Sequence, residues 1–94
     1  AFNTPEIDVP FAEGEHYLFM EKLKAIVDFK DARIFDLDGI RADFADGWGL
    51  VRPSNTTPVL VMRFEGETPA ALERIQQRFK AWIHQVDAGL ELPF

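Results

Sequence analysis

Apolar residues recur along this chain with two different spacings, and the spacing separates strands from helices. Alternation of apolar and polar residues predicts half-buried β-strands over residues 7–11 and 40–44. Residues 33–37 and 48–52 are further short β-like segments, and residues 59–64 form the most strand-like run of the chain. Because the first segment contains a proline, which lacks a backbone N–H, that strand is expected at a sheet edge.

Two longer segments repeat apolar residues every three or four positions, which predicts amphipathic helices. The first helix follows Gly14, and its apolar stripe contains Phe19, Met20, Leu23, Ile26 and Val27. The second begins at Thr68-Pro69, where a hydroxyl can cap the helix and a proline needs no N–H partner. Its stripe contains Leu72, Ile75, Phe79, Trp82 or Ile83, and Val86. Gly89 is expected to end this helix in a left-handed cap.

The predicted order of elements is strand, helix, three or four strands, helix, with turns at Asp38-Gly39 and Asp46-Gly47. Each helix has one apolar side, so the economical arrangement is an antiparallel sheet with both helices packed on one face. The expected fold class is therefore α+β, with a sheet of about four to five strands. No repeat or linker interrupts the chain, so residues 1–94 are expected to form a single domain with a docked tail over 90–94.

Composition narrows the class of protein further. The chain has 47% hydrophobic residues and no cysteine, so it can bury one core but cannot form disulfides or zinc–thiolate sites. A reducing, cytoplasmic setting is compatible with this. No stretch reaches the roughly 18 to 20 apolar residues of a membrane span, and no signal peptide is evident. The chain starts at Ala1 rather than at a methionine, which predicts a fragment of a longer protein.

Charge is unevenly distributed along the sequence. The net charge of −6 disfavours nucleic acids and anionic membranes as partners. However, no acidic residue lies between Gly47 and Phe64, whereas Arg52 and Arg63 both do. An anion is therefore expected to find its favourable position within this window.

The 52–58 loop in this window has the composition of an anion site. Its residues are Arg52, Pro53, Ser54, Asn55, Thr56, Thr57 and Pro58. The arginine offers a planar fork of N–H donors that matches two phosphate oxygens, and the other side chains add hydroxyl and amide donors. The backbone N–H groups from 54 to 57 have no evident strand partner, and the prolines restrict φ at both ends. From composition alone, an ordinary polar connection between two strands is the more common explanation.

Residues 47–58, followed by the strand-like run 59–64, resemble the C-terminal motif of the α-D-phosphohexomutase family. The common pattern of that family is Arg-x-Ser-Gly-Thr-Glu-Pro, and here Asn55 and Thr57 replace the glycine and the glutamate. This variant is similar to that of the bacterial bifunctional phosphomannomutase/phosphoglucomutase branch. The resemblance extends over most of the chain, through 4–7 (the entry from a preceding domain), 37–41 (the Asp-Gly step) and 90–94 (the natural C-terminus).

The resemblance implies a TATA-box-binding-protein-like fold and the position of the fourth, C-terminal domain of an enzyme. Such an enzyme is an isomerase that interconverts hexose 1-phosphate and hexose 6-phosphate through a bisphosphorylated intermediate. The 52–58 loop would hold the phosphate that is not transferred, on glucose or mannose phosphates or on the hexose 1,6-bisphosphate. The phosphate ligands carried over are Arg52, Ser54, Asn55 and Thr56, with Thr57 at the departing position.

Other motifs of the family are absent from this chain, namely its phosphoserine loop, its Mg²⁺-binding Asp-Gly-Asp-x-Asp-Arg loop and its sugar-reading loop. The resemblance implies that they belong to the three other domains of the parent chain. No catalytic residue, metal ligand or cofactor is therefore expected here, and the isolated domain is predicted to bind a phosphosugar without catalysis. Ser54 also has no histidine or carboxylate near it in sequence to activate it.

Acidic residues and histidines outside the loop invite a functional explanation and a structural one. Asp36, Asp38 and Asp43 could suggest a metal site, but solvated strand edges are the better explanation because hard cations need more convergent oxygens. His16 and His84 are expected at the surface, near a helix start and a helix end.

Arg63 could position the loop or ligand, or form an ion pair with Glu65 or Glu67. Trp48 and Trp82 are expected in the core or at an interface. Met20 and Met62 are expected to fill gaps in the core. Apolar surface left by missing neighbours is expected at Phe2, Phe11 or Phe94.

Two functions remain open from the sequence. The first is the phosphosugar-binding domain of a mutase. The second is an autonomous small regulatory or interaction module of similar α+β shape, which binds a metabolite or a partner protein. Fold alone does not separate them, because one fold serves many functions.

Overall fold

The computed structural model describes every residue from Ala1 to Phe94. The strands are β1 Phe2–Asn3, β2 Ile7–Pro10, β3 Arg33–Phe35, β4 Ile40–Phe44, β5 Gly47–Pro53 and β6 Val59–Gly66, and the helices are α1 Glu15–Ile26 and α2 Pro69–Val86. Every predicted strand and helix is present. The additional strand β1 has two residues, and so short a segment carries no period from which to predict it.

The strands form one antiparallel sheet in the spatial order β1-β6-β5-β4-β3, with β2 also paired to β6. β1 lies opposite Glu65 and Gly66, and β2 lies opposite residues 59–62, so the two share one side of β6. The proline-containing β2 is thus at a sheet edge, as predicted. β5 and β6 form the central hairpin, which is paired from Gly47 opposite Gly66 to Pro53 opposite Leu60.

Both helices pack on the same face of the sheet and contact each other, which confirms the α+β prediction. Alternate residues of the central strands point to this face and are buried, namely Ile40, Ala42, Val51, Leu60, Met62 and Phe64. They join residues of both helices in one core cluster. The arrangement agrees with the TATA-box-binding-protein-like fold that was predicted. The opposite face has no helix over it and carries Arg41, Leu50 and Arg52.

The start of α2 was predicted correctly, but its end was not. Thr68 caps the helix, because its Oγ1 accepts a hydrogen bond from a first-turn N–H at 3.0 Å. At the other end, Asp87 is extended, with φ −146°, and its N–H still reaches the Ile83 carbonyl. The prediction of a left-handed cap at Gly89 is wrong. Its N–H donates instead to the Asp87 carboxylate at 2.9 Å, which closes the turn without that conformation.

The C-terminal tail docks on the core, as predicted. Leu90, Leu92 and Phe94 pack against the core cluster. The ring of Phe94 lies 5.1 Å from that of Phe64, centroid to centroid, and Lys80 donates to the Phe94 carbonyl at 2.9 Å. Phe94, one of the three candidates for exposed apolar surface, is therefore half-buried.

Most of the exposed apolar side chains differ from the candidates that the sequence suggested. Phe2 is exposed, as predicted, but Phe11 packs against Phe19 with ring centroids 5.0 Å apart. Leu37 is 88% exposed, because β3 ends at Phe35, two residues before the predicted end. Neither helix combines the length and the apolar content needed to cross a lipid bilayer.

Candidate functional site

The 52–58 loop is the turn of the central hairpin, and the ladder extends further into it than the sequence indicated. β5 ends at Pro53. Just beyond it, the Ser54 N–H donates to the Val59 carbonyl at 3.0 Å. The expectation that the backbone N–H groups from 54 to 57 lack a strand partner is therefore wrong for Ser54. This bond fixes the separation between the two ends of the loop.

The hydroxyl of Ser54 points into the loop and ties it together. Its Oγ accepts the N–H of Thr56 at 3.3 Å and that of Thr57 at 3.4 Å, and lies 3.2 and 3.4 Å from their hydroxyls. The residue is 9% exposed. No histidine or carboxylate side chain hydrogen-bonds its hydroxyl, so Ser54 organises a turn and is not an activated nucleophile.

Asn55, Thr56 and Thr57 form the exposed tip of the loop. The backbone N–H of Asn55 has no hydrogen-bond acceptor within the chain. Beside the tip, Arg52 is half-buried on β5, and its guanidinium makes no ion pair. The five predicted ligands thus lie at one end of the hairpin, where the hydroxyls of Ser54, Thr56 and Thr57 contact one another. The Arg52 guanidinium and the Asn55 N–H are the donors without a partner in the chain.

A groove of about 250 Å³ opens beside Arg52 on the helix-free face of the sheet. The turn between β3 and β4, residues 37–39, forms one wall of it. This turn is in close contact with β5, because a Cβ atom on Gly39 would overlap the carbonyl oxygen of Val51. The turn therefore lies directly beside Arg52 along one side of the groove.

The groove is also lined by charged residues from outside the acid-free window of the sequence. Asp38 lines it together with Arg52, because antiparallel pairing brings distant parts of the chain side by side. Arg41 lines it as well, but Asp43 accepts a hydrogen bond from its Nε at 2.7 Å. Arg41 also stacks on Trp48, with Cζ 4.4 Å from the ring centroid. Arg52 is therefore the unpaired cation of this groove.

The prediction that His16 is a surface residue is wrong. The side chain is 2% exposed, and its Nε2–H donates to the Ser54 carbonyl at 3.0 Å. A signal was present in the sequence, because residues 16, 19, 20 and 23 have the spacing of one helix face and all four are buried. The partner of the histidine, however, lies 38 positions away in sequence, which no local pattern indicates.

The next residue of α1 also contacts the loop. The Tyr17 hydroxyl donates to the Asn55 Oδ1 at 3.2 Å, and its ring lies 4.0 Å from that of His16, centroid to centroid. One helical turn thus holds two consecutive loop residues, one through the backbone and one through a side chain. Sequence reasoning missed both contacts.

His84 differs from His16 in its role. It is half-buried in the last turn of α2, and its Nε2–H donates to the Leu90 carbonyl at 2.9 Å. It therefore fastens the C-terminal tail and lies in the part of the helix that was predicted, although it is less exposed than expected.

The aspartates singled out in the sequence have separate surroundings. Asp36 forms an ion pair with Lys24, whose Nζ lies 3.1 Å from the carboxylate. The hydrogen bond within this pair raises the pKa of the Lys24 ammonium group above its ordinary value. Asp43 pairs with Arg41, and Asp38 lies at the groove. No group of three His, Asp or Glu side chains is placed to hold a metal ion.

The remaining candidates have structural positions. Arg63 is exposed and forms no ion pair, so one of its two alternatives, pairing with Glu65 or Glu67, is not found. Trp82 is a core residue, as predicted, and its Nε1 donates to the Leu23 carbonyl at 3.1 Å. The methionines are buried, with Met20 at 1% and Met62 at 0% exposure.

Comparison with known proteins gives a consistent family. Residues 6–81 match the family model described as "Phosphoglucomutase/phosphomannomutase, C-terminal domain". The chain is 48% identical over 92 residues to a phosphomannomutase/phosphoglucomutase of Pseudomonas syringae pv. tomato, which covers 98% of this chain and 20% of the relative. It is 49% identical over 85 residues to a phosphoglucomutase of Neisseria gonorrhoeae, which covers 88% of this chain and 18% of that protein.

A solved structure supports the same grouping. The crystal structure of a phosphoglucomutase/phosphomannomutase family protein from Burkholderia thailandensis superposes with a TM-score of 0.88 at 40% identity. The match covers 100% of this chain and 19% of that protein. The chain thus spans about a fifth of the length of the relatives that it matches.

Proposed function

Because this chain belongs to the phosphoglucomutase/phosphomannomutase family, in which it corresponds to the C-terminal domain, we propose that its 52–58 loop binds the phosphate of a hexose phosphate. The observation that carries the proposal is the combination of an unpaired guanidinium on Arg52 with an unpaired N–H on Asn55 at one end of the central hairpin. Both groups are donors, and a phosphate monoester is almost purely an acceptor.

The geometry of the loop supports binding without catalysis. Arg52 lies on a paired strand, which fixes its backbone. The loop tip adds the backbone N–H and side-chain amide of Asn55 and the hydroxyl groups of the exposed Thr56 and Thr57. Because these donors belong to several separate residues, we expect the loop to hold the phosphate in more than one orientation. The hydroxyl of Ser54, the serine of the loop, has no histidine or carboxylate side chain bonded to it.

We assign the loop a clamping role in the parent enzyme. The parent would interconvert hexose 1-phosphate and hexose 6-phosphate through a bisphosphorylated intermediate, and the loop would hold the phosphate that is not transferred. A loop that tolerates several orientations suits this role, because the two ends of the substrate exchange places between half-reactions. The phosphoserine and the Mg²⁺ ion would belong to the other three domains, which are the expected partners of this one.

Backbone amide shifts test the proposal directly. The ¹⁵N-labelled chain is titrated at constant ionic strength with glucose 1-phosphate and with glucose 6-phosphate, and with glucose as the uncharged control. We expect shifts at residues 52 and 54–57 with both phosphates only. The dissociation constant should be on the order of 1 mM, because a single clamp supplies only about 4 kcal/mol of binding free energy.

The same titration can contradict the proposal. If the amide shifts of the loop stay unchanged at tens of millimolar phosphosugar, the proposed phosphate binding is refuted. Equal shifts with glucose would show that the loop does not recognise phosphate. Shifts confined to another surface would favour an autonomous module with a different ligand.

A further inference from the structure

Burying His16 of α1 costs folding free energy, and packing in the core does not explain why a histidine occupies this position. The Ser54 carbonyl can only accept, so the proton of the neutral ring is on Nε2 and Nδ1 carries a lone pair. Nδ1 is buried and has no hydrogen-bond partner. A buried polar atom without a partner destabilises the folded state, and a leucine would fill the same apolar helix face without this cost.

The bond made by Nε2 fixes more than the carbonyl that accepts it. The Ser54 carbonyl and the Asn55 N–H belong to one planar trans peptide unit, in which the two point in opposite directions. Holding the oxygen against His16 therefore directs the Asn55 N–H away from α1. That N–H is the one without an acceptor in the chain, so the histidine determines the direction of a free donor.

We propose that His16 is a positioning residue for phosphate binding, which acts by holding the Ser54–Asn55 peptide so that the Asn55 N–H is directed at the ligand. The inference rests on the proposed function of the 52–58 loop and adds a residue outside that loop to it. A hydrogen bond into the carbonyl also polarises the peptide unit and strengthens its N–H as a donor.

Tyr17 extends the same device to the side chain of Asn55. Its hydroxyl donates to Oδ1, so the amide NH₂ group is the end that remains available to an acceptor. Tyr17 is 43% exposed, so water competes for its hydrogen bond. Tyr17 therefore holds the Asn55 side chain less firmly than the buried His16 holds the Ser54 carbonyl. Together the two contacts order the loop before the ligand arrives, which lowers the entropy lost on binding.

Two substitutions at position 16 and one at position 84 separate positioning from packing. His16→Leu fills a similar volume with an apolar side chain and removes the donor. His16→Gln instead places an amide N–H near the position of Nε2. His84→Leu is the matched control, because His84 makes the same kind of bond to a carbonyl at 2.9 Å in the tail. Each variant is titrated with glucose 1-phosphate while its amide shifts are followed.

We expect His16→Leu to raise the dissociation constant about fivefold, the factor that corresponds to one typical hydrogen bond. His16→Gln should restore most of the affinity, and His84→Leu should leave it unchanged. If the leucine variant does not fold, His16→Asn replaces it, because its amide is one methylene shorter and cannot reach Ser54. The ring ¹⁵N shifts of His16 should show a protonated Nε2 and a bare Nδ1.

The outcomes distinguish this proposal from the one on which it rests. If the wild-type chain does not respond to the phosphate, the proposed function fails and the role of His16 fails with it. If the wild type binds and the leucine variant binds equally well, only the role of His16 is refuted. The Nδ1-protonated tautomer, or a glutamine variant as weak as the leucine one, would also overturn it.

Discussion

At the scale of single residues, two arginines in the same acid-free window have different surroundings. Arg52 and Arg63 lie on the paired strands β5 and β6, opposite Val61 and Leu50 respectively, and therefore on the same face of the sheet. Neither forms an ion pair. Arg52 is half-buried next to the turn, whereas Arg63 is exposed and further along its strand. Position therefore distinguishes them, because charge and pairing do not.

This difference makes Arg63 a matched control for Arg52. We expect Arg52→Ala to weaken glucose 1-phosphate binding more than about tenfold, because a charge-assisted hydrogen bond is lost. Arg63→Ala should change the affinity less than about threefold at physiological salt, where exposed charges are screened. Arg52→Lys should fall between wild type and alanine, since it keeps the charge without the planar fork. Equal losses in both alanine variants would mean that only net charge is recognised.

At the scale of elements, the two helices differ in how they are fixed. α2 begins at a cap that its own sequence supplies, with Thr68 and a proline in the first turn. α1 begins at Gly14 without a side-chain cap, and its first turn is held by contacts to the 52–58 loop. The segment after α1 is tied to α2 by Arg78 and Asp31, whose two hydrogen bonds are 2.6 and 2.7 Å long.

The ion pair between Asp31 and Arg78 predicts a pH dependence at low pH. The hydrogen bonds from Arg78 hold the pKa of Asp31 below its ordinary value of 3.8. Because the pKa is lower in the folded chain, the stabilisation is complete above pH 3.8 and is lost as the pH falls through the folded-state pKa. Asp31→Asn should therefore lower the urea midpoint slightly at pH 7, and the difference from wild type should shrink as the pH falls below 3.8.

Asp28→Asn provides the control for this measurement, because the same chemical change is made nearby at a carboxylate without an ion pair. It should leave the urea midpoint at pH 7 close to that of wild type. A destabilisation by Asp31→Asn that is equally large at pH 2 and pH 7 would contradict an origin in the ion pair. High salt should also reduce the effect, since the carboxylate is exposed.

At the scale of the whole molecule, one aromatic cluster joins the sheet to α2 and to the segment after α1. The ring of Phe79 lies 5.1 Å from Phe64, 5.3 Å from Trp82 and 5.4 Å from Phe29, centroid to centroid. Gly49 completes the contact on the sheet side, because a Cβ atom there would lie 2.6 Å from the Phe79 ring. The cluster is buried on the helix-covered face, so the helix-free face remains available for the groove.

Phe79→Ala tests the weight of this cluster. We expect a loss of about 3–5 kcal/mol in the free energy of unfolding, since a large buried ring is replaced by a cavity. This is a large part of the roughly 5–15 kcal/mol that stabilise a typical domain, and urea denaturation measures it. Phe2→Ala is the control on an exposed ring and should have little effect. A similar midpoint for the two variants would mean that the cluster is not the centre of the core.

The sequence by itself determined the elements and the layers of this protein. The strand and helix periods, the cap at Thr68 and the single apolar side of each helix are local properties, so they predicted the α+β class and the docked tail. The family motif likewise singled out the 52–58 loop as the candidate phosphate site. The end of α2 was missed because a hydrogen bond from the Gly89 N–H to the Asp87 carboxylate replaced the expected glycine conformation.

Only the tertiary structure decided what surrounds the loop. His16 and Tyr17 reach it from 38 positions away in sequence, and Asp38 joins Arg52 at one groove through the pairing of strands. Periodicity reports which side of an element is apolar, but it does not report which other element that side meets. The register of the sheet and the packing of α1 set those neighbours, and with them the directions of the free donors.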